Sequence, residues 1–389
     1  MAIVSIVFYI GKYLRKKISI FPKYCIPPAV IGGFFFSLIV LLFHETGIVT
    51  LNLDTSLQDL FMVAFFTSIG FTASVKVLKQ GGLKVVTFLI LAILLVILQN
   101  ILGVTLSSIF HLNPLLGLCT GSIPMVGGHG TAGSFGPIIE DLGIPTATTV
   151  SVASATFGLI MGSIVGGLVA RTLIKTHKLK TLHDENSNIP PEEVGDYNEE
   201  NHNILSFKRL MNAACHLFIA MGLGSIVSSI IQTTGLTFPS YIGAMIVAAV
   251  IRNIYDLRKK ELVEKEIETL GGLSLSFFLT MALMGLKLWQ LADLALPLLI
   301  MLFAQVLLVG TFSFFITYWV MGRNYEAAVF SSAMCGFGMG ATPNAIANMD
   351  ELSNRYGFTP MPYFVVPIVG GLFIDFVNSA IITIFINII

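Results

Sequence analysis

The stretch Ser122-Ile-Pro-Met-Val-Gly-Gly-His-Gly-Thr-Ala-Gly-Ser-Phe-Gly136 decides how this chain is read. It returns in altered form as Cys335-Gly-Phe-Gly-Met-Gly-Ala-Thr-Pro-Asn-Ala-Ile-Ala-Asn348. Each copy lies between long apolar segments. Glycine and proline at this density leave backbone N–H and C=O groups without intrahelical partners, so neither copy is expected to cross lipid as an ordinary helix. Non-helical backbone at membrane depth persists only where protein buries it or where it lines a polar cavity. Two such segments at matching places in two halves of a membrane protein point to a transported ligand.

Of the 389 residues, 55% are hydrophobic and 11% charged, and the mean hydropathy is +0.85. A soluble domain carries about 25% charge. The composition therefore describes an all-α polytopic protein solvated by membrane lipid. Its 22 basic and 22 acidic residues cancel, which leaves no electrostatic footprint for nucleic acid. Cys25, Cys119, Cys215 and Cys335 are dispersed, with neither metal spacing nor a disulfide framework. They read as small packing residues. No paired catalytic carboxylates, Ser/His dyad spacing or metal cluster supports an intramembrane enzyme, and no cofactor is expected.

The first apolar run, Ala2–Leu14, is short for a span, and its basic residues follow rather than precede it. That order is opposite to a cleavable signal peptide. It reads as a short or truncated first span with its N-terminus outside. Further spans are expected near Ile26–Phe43, Leu57–Val75, Val85–Phe110, Thr146–Ile174, Ile204–Ile231, Phe238–Ile254, Gly271–Leu291, Leu294–Met321 and Met361–Ile389. Between the fifth and sixth spans lies one long hydrophilic stretch, residues 175–203, with Pro190-Pro191 and seven acids. It reads as a solvated linker.

Basic residues set the orientation. Lys12–Lys23, Lys76, Lys79, Lys84, Arg171–Lys180, Lys208-Arg209, Arg252–Lys265, Arg323 and Arg355 all fall on one side if each span crosses once and each broken segment dips and returns. Only Lys287 departs. By the positive-inside rule that side is the cytoplasm, with both termini outside in the inner (plasma) membrane.

Five spans per half make the halves enter the membrane in opposite senses. Phe61-Met-Val-Ala-Phe-Phe-Thr-Ser-Ile-Gly70 resembles Ser276-Phe-Phe-Leu-Thr-Met-Ala-Leu-Met-Gly285, and Gly70 and Gly285 are 215 residues apart, as are Pro145 and Pro360. A constant offset with opposite membrane sense describes an inverted repeat. The organisation expected is an N-terminal repeat over 1–174 with a re-entrant hairpin at 115–137, the linker 175–203, and a C-terminal repeat over 204–389 with a re-entrant hairpin at 327–350. The two tips would meet near the midplane.

The first tip offers Ser122, Thr131, Ser134, His129 and the N–H groups of Gly127, Gly128 and Gly130. The second offers Thr342, Pro343, Asn344 and Asn348. Successive glycines can expose consecutive N–H groups, and helix N-termini beside them attract carboxylates. Carbonyl and hydroxyl oxygens suit a hard cation such as sodium. The bland alternative is that these glycines only permit tight helix crossing. Asp375 lies mid-span and shares a helix face with Asn378. An acid there is a functional candidate by default, and the pair could complete a cation site with Asn348. A structural hydrogen bond is the alternative. His129 fits a ligand contact, a proton carrier or a tip-stabilising donor equally well. Arg252 marks the cytoplasmic interface, and Ser154, Gly158, Gly162, Gly166 and Ala170 form a close-packing face. An anion channel or receptor is the other class of reading, but inverted repeats favour alternating access.

At Gly127-Gly-His-Gly-Thr131, Gly336-Phe-Gly-Met-Gly-Ala-Thr-Pro-Asn-Ala-Ile-Ala-Asn348, Ile26-Pro-Pro-Ala-Val-Ile-Gly-Gly33 and Ile374-Asp-Phe-Val-Asn378 the chain resembles the bacterial sodium/glutamate symporter family, over essentially its whole length. The resemblance implies sodium-coupled uptake of L-glutamate, two inverted five-helix repeats, a homodimer and an elevator mechanism. From the residue reading, the candidates around substrate are Ser122, Gly127, Gly128, His129, Gly130, Thr131, Thr342, Pro343 and Asn344, and those around sodium are Asn348, Asp375 and Asn378. Another small anion (aspartate, a dicarboxylate or a hydroxycarboxylate) and proton coupling stay open.

The orientation is directly testable. A cysteine placed at Asn188 should react with a membrane-impermeant thiol reagent only after the cytoplasmic face is opened. Reaction in intact cells would reverse the assignment.

Overall fold

The computed structural model describes residues 1–24, 26–46, 56–80, 82–179, 206–233, 239–289 and 294–389. Most of the expected linker, with Pro190-Pro191, lies outside them, as do Cys25 and residues 47–55, 81, 234–238 and 290–293. Every regular element among these residues is a helix. The first half runs α1 (Ala2–Lys17), α2 (Ile20–Lys23), α3 (Pro28–Thr46), α4 (Ser56–Gly70), α5 (Val75–Gln80), α6 (Gly82–Ile109), α7 (Pro114–Leu118), α8 (Ser122–Met125), α9 (Gly128–Asp141) and α10 (Ala147–Thr176). The second half runs α11 (Phe207–Gln232), α12 (Tyr241–Leu257), α13 (Glu264–Met284), α14 (Ala295–Thr311), a π-helical turn at Phe312–Thr317, α15 (Tyr318–Val320), α16 (Tyr325–Gly338) and α17 (Thr342–Tyr356). It closes with α18 (Pro360–Ile368), a π-helical turn at Val369–Phe373 and α19 (Ile374–Ile388).

Six of these helical runs are long and apolar enough to cross a membrane: α3, α6, α10, α11, α13 and the run from α14 to α15. The pair α18–α19, bent by 41°, makes a seventh if it counts as one span. Local chemistry sets several boundaries. The Asn113 side chain accepts the Leu115 N–H and caps α7, with Pro114 in its first turn. Asn324 does the same for α16 through the Ala327 N–H, at 2.9 Å. Gly357 ends α17 at φ +103°.

The stretches read as non-helical are mostly helical. Only residues 126–127 and 339–341 interrupt the chain between α8 and α9 and between α16 and α17. Most of the glycines keep helical geometry and lie against close neighbours, backbone at Gly336 and side chains at Gly130, Gly133 and Gly338, and Pro137 is carried inside α9. Against the expected linker of residues 175–203, α10 continues two residues further, to Thr176, and α11 begins at Phe207, three residues later than expected.

The helices sort into two packed groups. In one, α1, α3, α4, α11, α12 and α13 contact one another. In the other, α6 to α10 pack with α14 to α19. Small residues make the crossings in both. A Cβ built on Gly11 of α1 would stand 2.0 Å from the Pro28 carbonyl oxygen, and one on Gly243 of α12 would stand 2.2 Å from that of Gly224. In the second group Gly103 and Gly117 bring α6 and α7 together. Gly158, Gly162 and Gly166 set α10 against α16, α17 and the break between them. The seam between groups is apolar and aromatic. Gly130 and Gly133 of α9 lie against Phe65 and Phe278, and Tyr241 of α12 stacks on Phe66 with centroids 3.8 Å apart while meeting Phe135 edge-on.

Charged side chains gather at the helix ends. Arg252 is buried, pairs with Asp256 at 3.2 Å and also meets Glu264. Asp256 accepts from Ser74, and Asn253 bonds the backbone of Ala73 and Val75, so α12 holds the turn between α4 and α5. Arg209–Glu266, Lys84–Glu326 and Arg171–Glu351 are further ion pairs.

The crossings predict contrasting glycine variants in α10. A Cβ on Gly158 would stand 2.2 Å from the Met339 carbonyl oxygen, whereas nothing lies within 4 Å of one on Gly167. Gly158→Ala should cost about 1–3 kcal/mol by overpacking. Gly167→Ala should be neutral or stabilise by up to ~1 kcal/mol through helix propensity. Thermal unfolding of the purified variants in detergent checks the ordering.

Candidate functional site

The two chain breaks touch. Gly128 opens α9 at φ +60°, and a Cβ there would stand 3.0 Å from the Gly340 carbonyl oxygen. Only glycine combines that left-handed backbone with so close an approach. Gly158 lies beneath, against both Met125 and Met339, so α10 forms the floor of the junction. The Asn344 amide donates to the Leu159 carbonyl at 2.8 Å, and the Asn348 amide donates to those of Gly162 at 3.1 Å and Ser332 at 3.3 Å. These two residues, one helical turn apart, fasten α17 to α10 and α16.

On the first segment, Ser122 is fully buried, and side chains bond both its backbone N–H and its carbonyl. Its N–H donates to Asn100 Oδ1 at 2.9 Å, and its carbonyl accepts from Asn378 Nδ2 at 3.2 Å. His129 is buried, with Nε2 2.9 Å from Thr156 Oγ1. Thr131 packs its side chain on Gly127, and its carbonyl accepts from Ser134 Oγ at 3.0 Å. On the second segment, Thr342 is half-buried and Pro343 exposed. Thr342 Oγ1 would stand 2.8 Å from a Cβ on Gly370, in the π-helical turn that precedes Asp375.

The expected site residues are thus partly assembled. Gly128 meets the second break, Asn378 meets Ser122, and Thr342 meets the last span. Asn348 does not join Asp375 or Asn378 by any hydrogen bond among the described residues; it serves the α10–α17 contact instead. Asp375 is half-buried, and its carboxylate has no hydrogen bond or ion pair among the described residues. No three His, Cys, Asp or Glu side chains cluster there either. Three candidate residues are among those with free buried oxygens, all on neutral groups: Ser122 Oγ, Asn344 Oδ1 and Asn378 Oδ1. Neutral oxygens are donors that suit a hard cation of low charge.

Three buried carboxamides escaped the sequence reading. Gln99 Nε2 donates to the Gly338 carbonyl at 2.7 Å, Asn100 holds Ser122, and Gln305 Nε2 of α14 donates to the Gln99 carbonyl at 2.8 Å. All three have no exposed surface. A signal was available, since Gln99-Asn100 interrupts an otherwise apolar run in α6 and Gln305 interrupts α14.

A family model described as sodium/glutamate symporter matches residues 1–358. A curated protein of Escherichia coli (strain K12) described by the same words is 37% identical over 384 residues, which cover 98% of this chain and 95% of that protein. One from Shigella flexneri gives the same values. One from Haemophilus influenzae is 36% identical over 387 residues, covering 98% of this chain and 94% of its own.

The junction of the breaks predicts that Gly128→Ala weakens ligand binding more than folding. A residue forced into the left-handed region costs roughly 1–2 kcal/mol, and its Cβ would also push Gly340 away. Glutamate KM for uptake should rise by on the order of tenfold, as a loss of that size in binding implies. An unchanged KM in a folded variant would separate this junction from the substrate.

Proposed function

The chain belongs to the sodium/glutamate symporter family, and from that premise we propose that it imports L-glutamate with sodium as the coupling ion, by alternating access. It is a multi-pass membrane protein. The observation that carries the reading is the contact of the two chain breaks at Gly128 and Gly340, with Asn344, whose buried Oδ1 is free, against Gly340. Ser122, Gly127, Gly128, His129, Gly130, Thr131, Thr342, Pro343 and Asn344 are the proposed substrate residues. Their N–H, hydroxyl and amide groups match an amino-acid carboxylate. Asp375 and Asn378 are the core of the proposed sodium site, with Asn348 the more distant member.

Helix boundaries support an inverted repeat. Shifted by the 215-residue spacing of Gly70 and Gly285, α9 starts within one residue of α17 and ends with it, and α10 starts within two residues of α18. The same spacing relates the breaks, which we read as the tips of two re-entrant hairpins entering from opposite faces. The sorting of helices supports an elevator: α6–α10 and α14–α19 would move as the carrier, while α1, α3, α4 and α11–α13 stand as scaffold. Gly130, Gly133 and the aromatic side chains facing them offer an apolar sliding seam. Exposed apolar side chains on α1 and α11, among them Ile6, Phe218 and Ile230, offer surface for lipid and for a second copy in a homodimer. Both termini face outward and the linker is cytoplasmic in this proposal, which rests on the basic-residue bias.

Sodium beside the bound carboxylates offsets their repulsion and orders the tips. Linkage then requires substrate to raise sodium affinity by the same factor. Proteoliposomes with an imposed sodium gradient should accumulate radiolabelled L-glutamate, and replacement of sodium by potassium or choline should abolish accumulation. Uptake that follows a pH gradient without sodium would make the carrier a proton symporter. Accumulation of a dicarboxylate in place of any acidic amino acid would sink the glutamate assignment. Within the same assay, Asp375→Asn should raise half-saturating sodium by on the order of tenfold, the scale of a lost charge-assisted ligand. An unchanged sodium dependence would remove Asp375 from the site.

A further inference from the structure

Gln99 and Asn100 are neighbours in the middle of α6, yet they reach different broken segments. Consecutive residues of a helix point about 100° apart, so an adjacent pair can serve partners on two sides. Asn100 Oδ1 takes the Ser122 N–H at 2.9 Å, in the first turn of α8. Gln99 Nε2 gives to the Gly338 carbonyl at 2.7 Å, in the last turn of α16. First-turn N–H and last-turn C=O groups are those a helix leaves without partners. The amide pair thus supplies a partner for the N–H that opens α8, after the interruption at residues 119–121, and for the C=O that closes α16, before the break at 339–341. Gln305 of α14 steadies it from the far side by donating to the Gln99 carbonyl.

The chain of bonds continues past Ser122. Its carbonyl accepts from Asn378, one turn along α19 from Asp375. A continuous path therefore runs from α19 through Ser122, Asn100 and Gln99 to Gly338, two residues before Gly340 where the breaks meet. Apolar side chains would fill the same volume without leaving Gln99 Oε1 and Asn100 Nδ2 buried and unpartnered, a cost that simple packing gives no reason to accept. We propose that Gln99 and Asn100 are positioning residues, the link through which cation binding at α19 sets both broken segments in the register that glutamate binding needs.

This rests on the symporter reading, and the test separates the two. Glutamate affinity of the purified protein is measured at low and saturating sodium; the ratio is the coupling factor. Gln99→Met and Asn100→Leu keep side-chain bulk and remove the bonds. In each, the coupling factor should fall by about tenfold, within the range of ordinary site–site coupling, while glutamate affinity at low sodium changes much less. Because the two residues form one path, the double variant should lose no more than the worse single one. Folding is followed by thermal unfolding, and Gln99→Ala or Asn100→Ala replaces the variant at the same position if it fails to fold. Coupling retained within twofold in folded variants, or losses that multiply in the double variant, would overturn the proposal. A wild-type protein whose glutamate binding ignores sodium would instead overturn the symporter reading itself.

Discussion

Backbone groups freed at a helix break in a low-dielectric interior must find partners, and this structure is organised around meeting that demand twice. Each unsatisfied group there costs several kcal/mol. Along the first broken segment Asn100 takes the Ser122 N–H, and the Ser122 carbonyl accepts from the Val126 and Gly127 N–H groups and from Asn378. At the second, Gln99 holds the Gly338 carbonyl. Both breaks are therefore tied to α6, and neither could drift without exposing a polar group. What remains free is confined to a few side-chain atoms, and those are the atoms a ligand can use.

Close approach of backbones is the second requirement, because carboxamides are short. Gly103 against Gly117, Gly158 against Met339 and Gly166 against Asn348 bring helix axes near enough for those bonds to form. Small residues are thus part of the polar arrangement as well as of the packing. The seam between the two helix groups is built differently. It meets through Phe65, Phe66, Phe135, Phe278 and Tyr241, with few polar bonds across it. A seam of that kind resists separation by apolar burial but puts up little specific barrier to sliding. That distinction is what makes a rigid carrier beside a fixed scaffold physically coherent.

The electrostatics follow the same division. Ion pairs such as Arg252–Asp256 and Arg209–Glu266 sit at helix ends. Among the candidate residues the free buried oxygens are neutral, and the one acid is Asp375, a turn before Asn378 on α19. Neutral oxygens would hold a sodium ion without trapping it, since a cage of several carboxylates would bind divalent ions and release slowly. A transporter needs release as much as binding.

Much of this was legible in the chain itself. The composition, with 55% hydrophobic residues, makes it a membrane protein. The apolar runs fall where α3, α6, α10, α11, α13 and α14 form. The doubled glycine-rich motif marks the two places where helices break, because glycine and proline act through local backbone preferences that sequence carries. The same stretches proved more helical than expected, since helix formation by Gly128–Asp141 depends on the neighbours that bury it. Ser122 and Asn378 were both visible as candidates; that they bond each other, 256 residues apart in sequence, was not. Asn348 looked equivalent to Asn378 and instead binds α10 and α16. Gln99, Asn100 and Gln305, polar residues within apolar helices, were not singled out at all. Which backbone group each amide meets depends on helix crossing and rotation, and those are set by side-chain packing between segments distant in sequence. Residue type and local spacing determined what each segment could do; tertiary packing alone decided which partner it met.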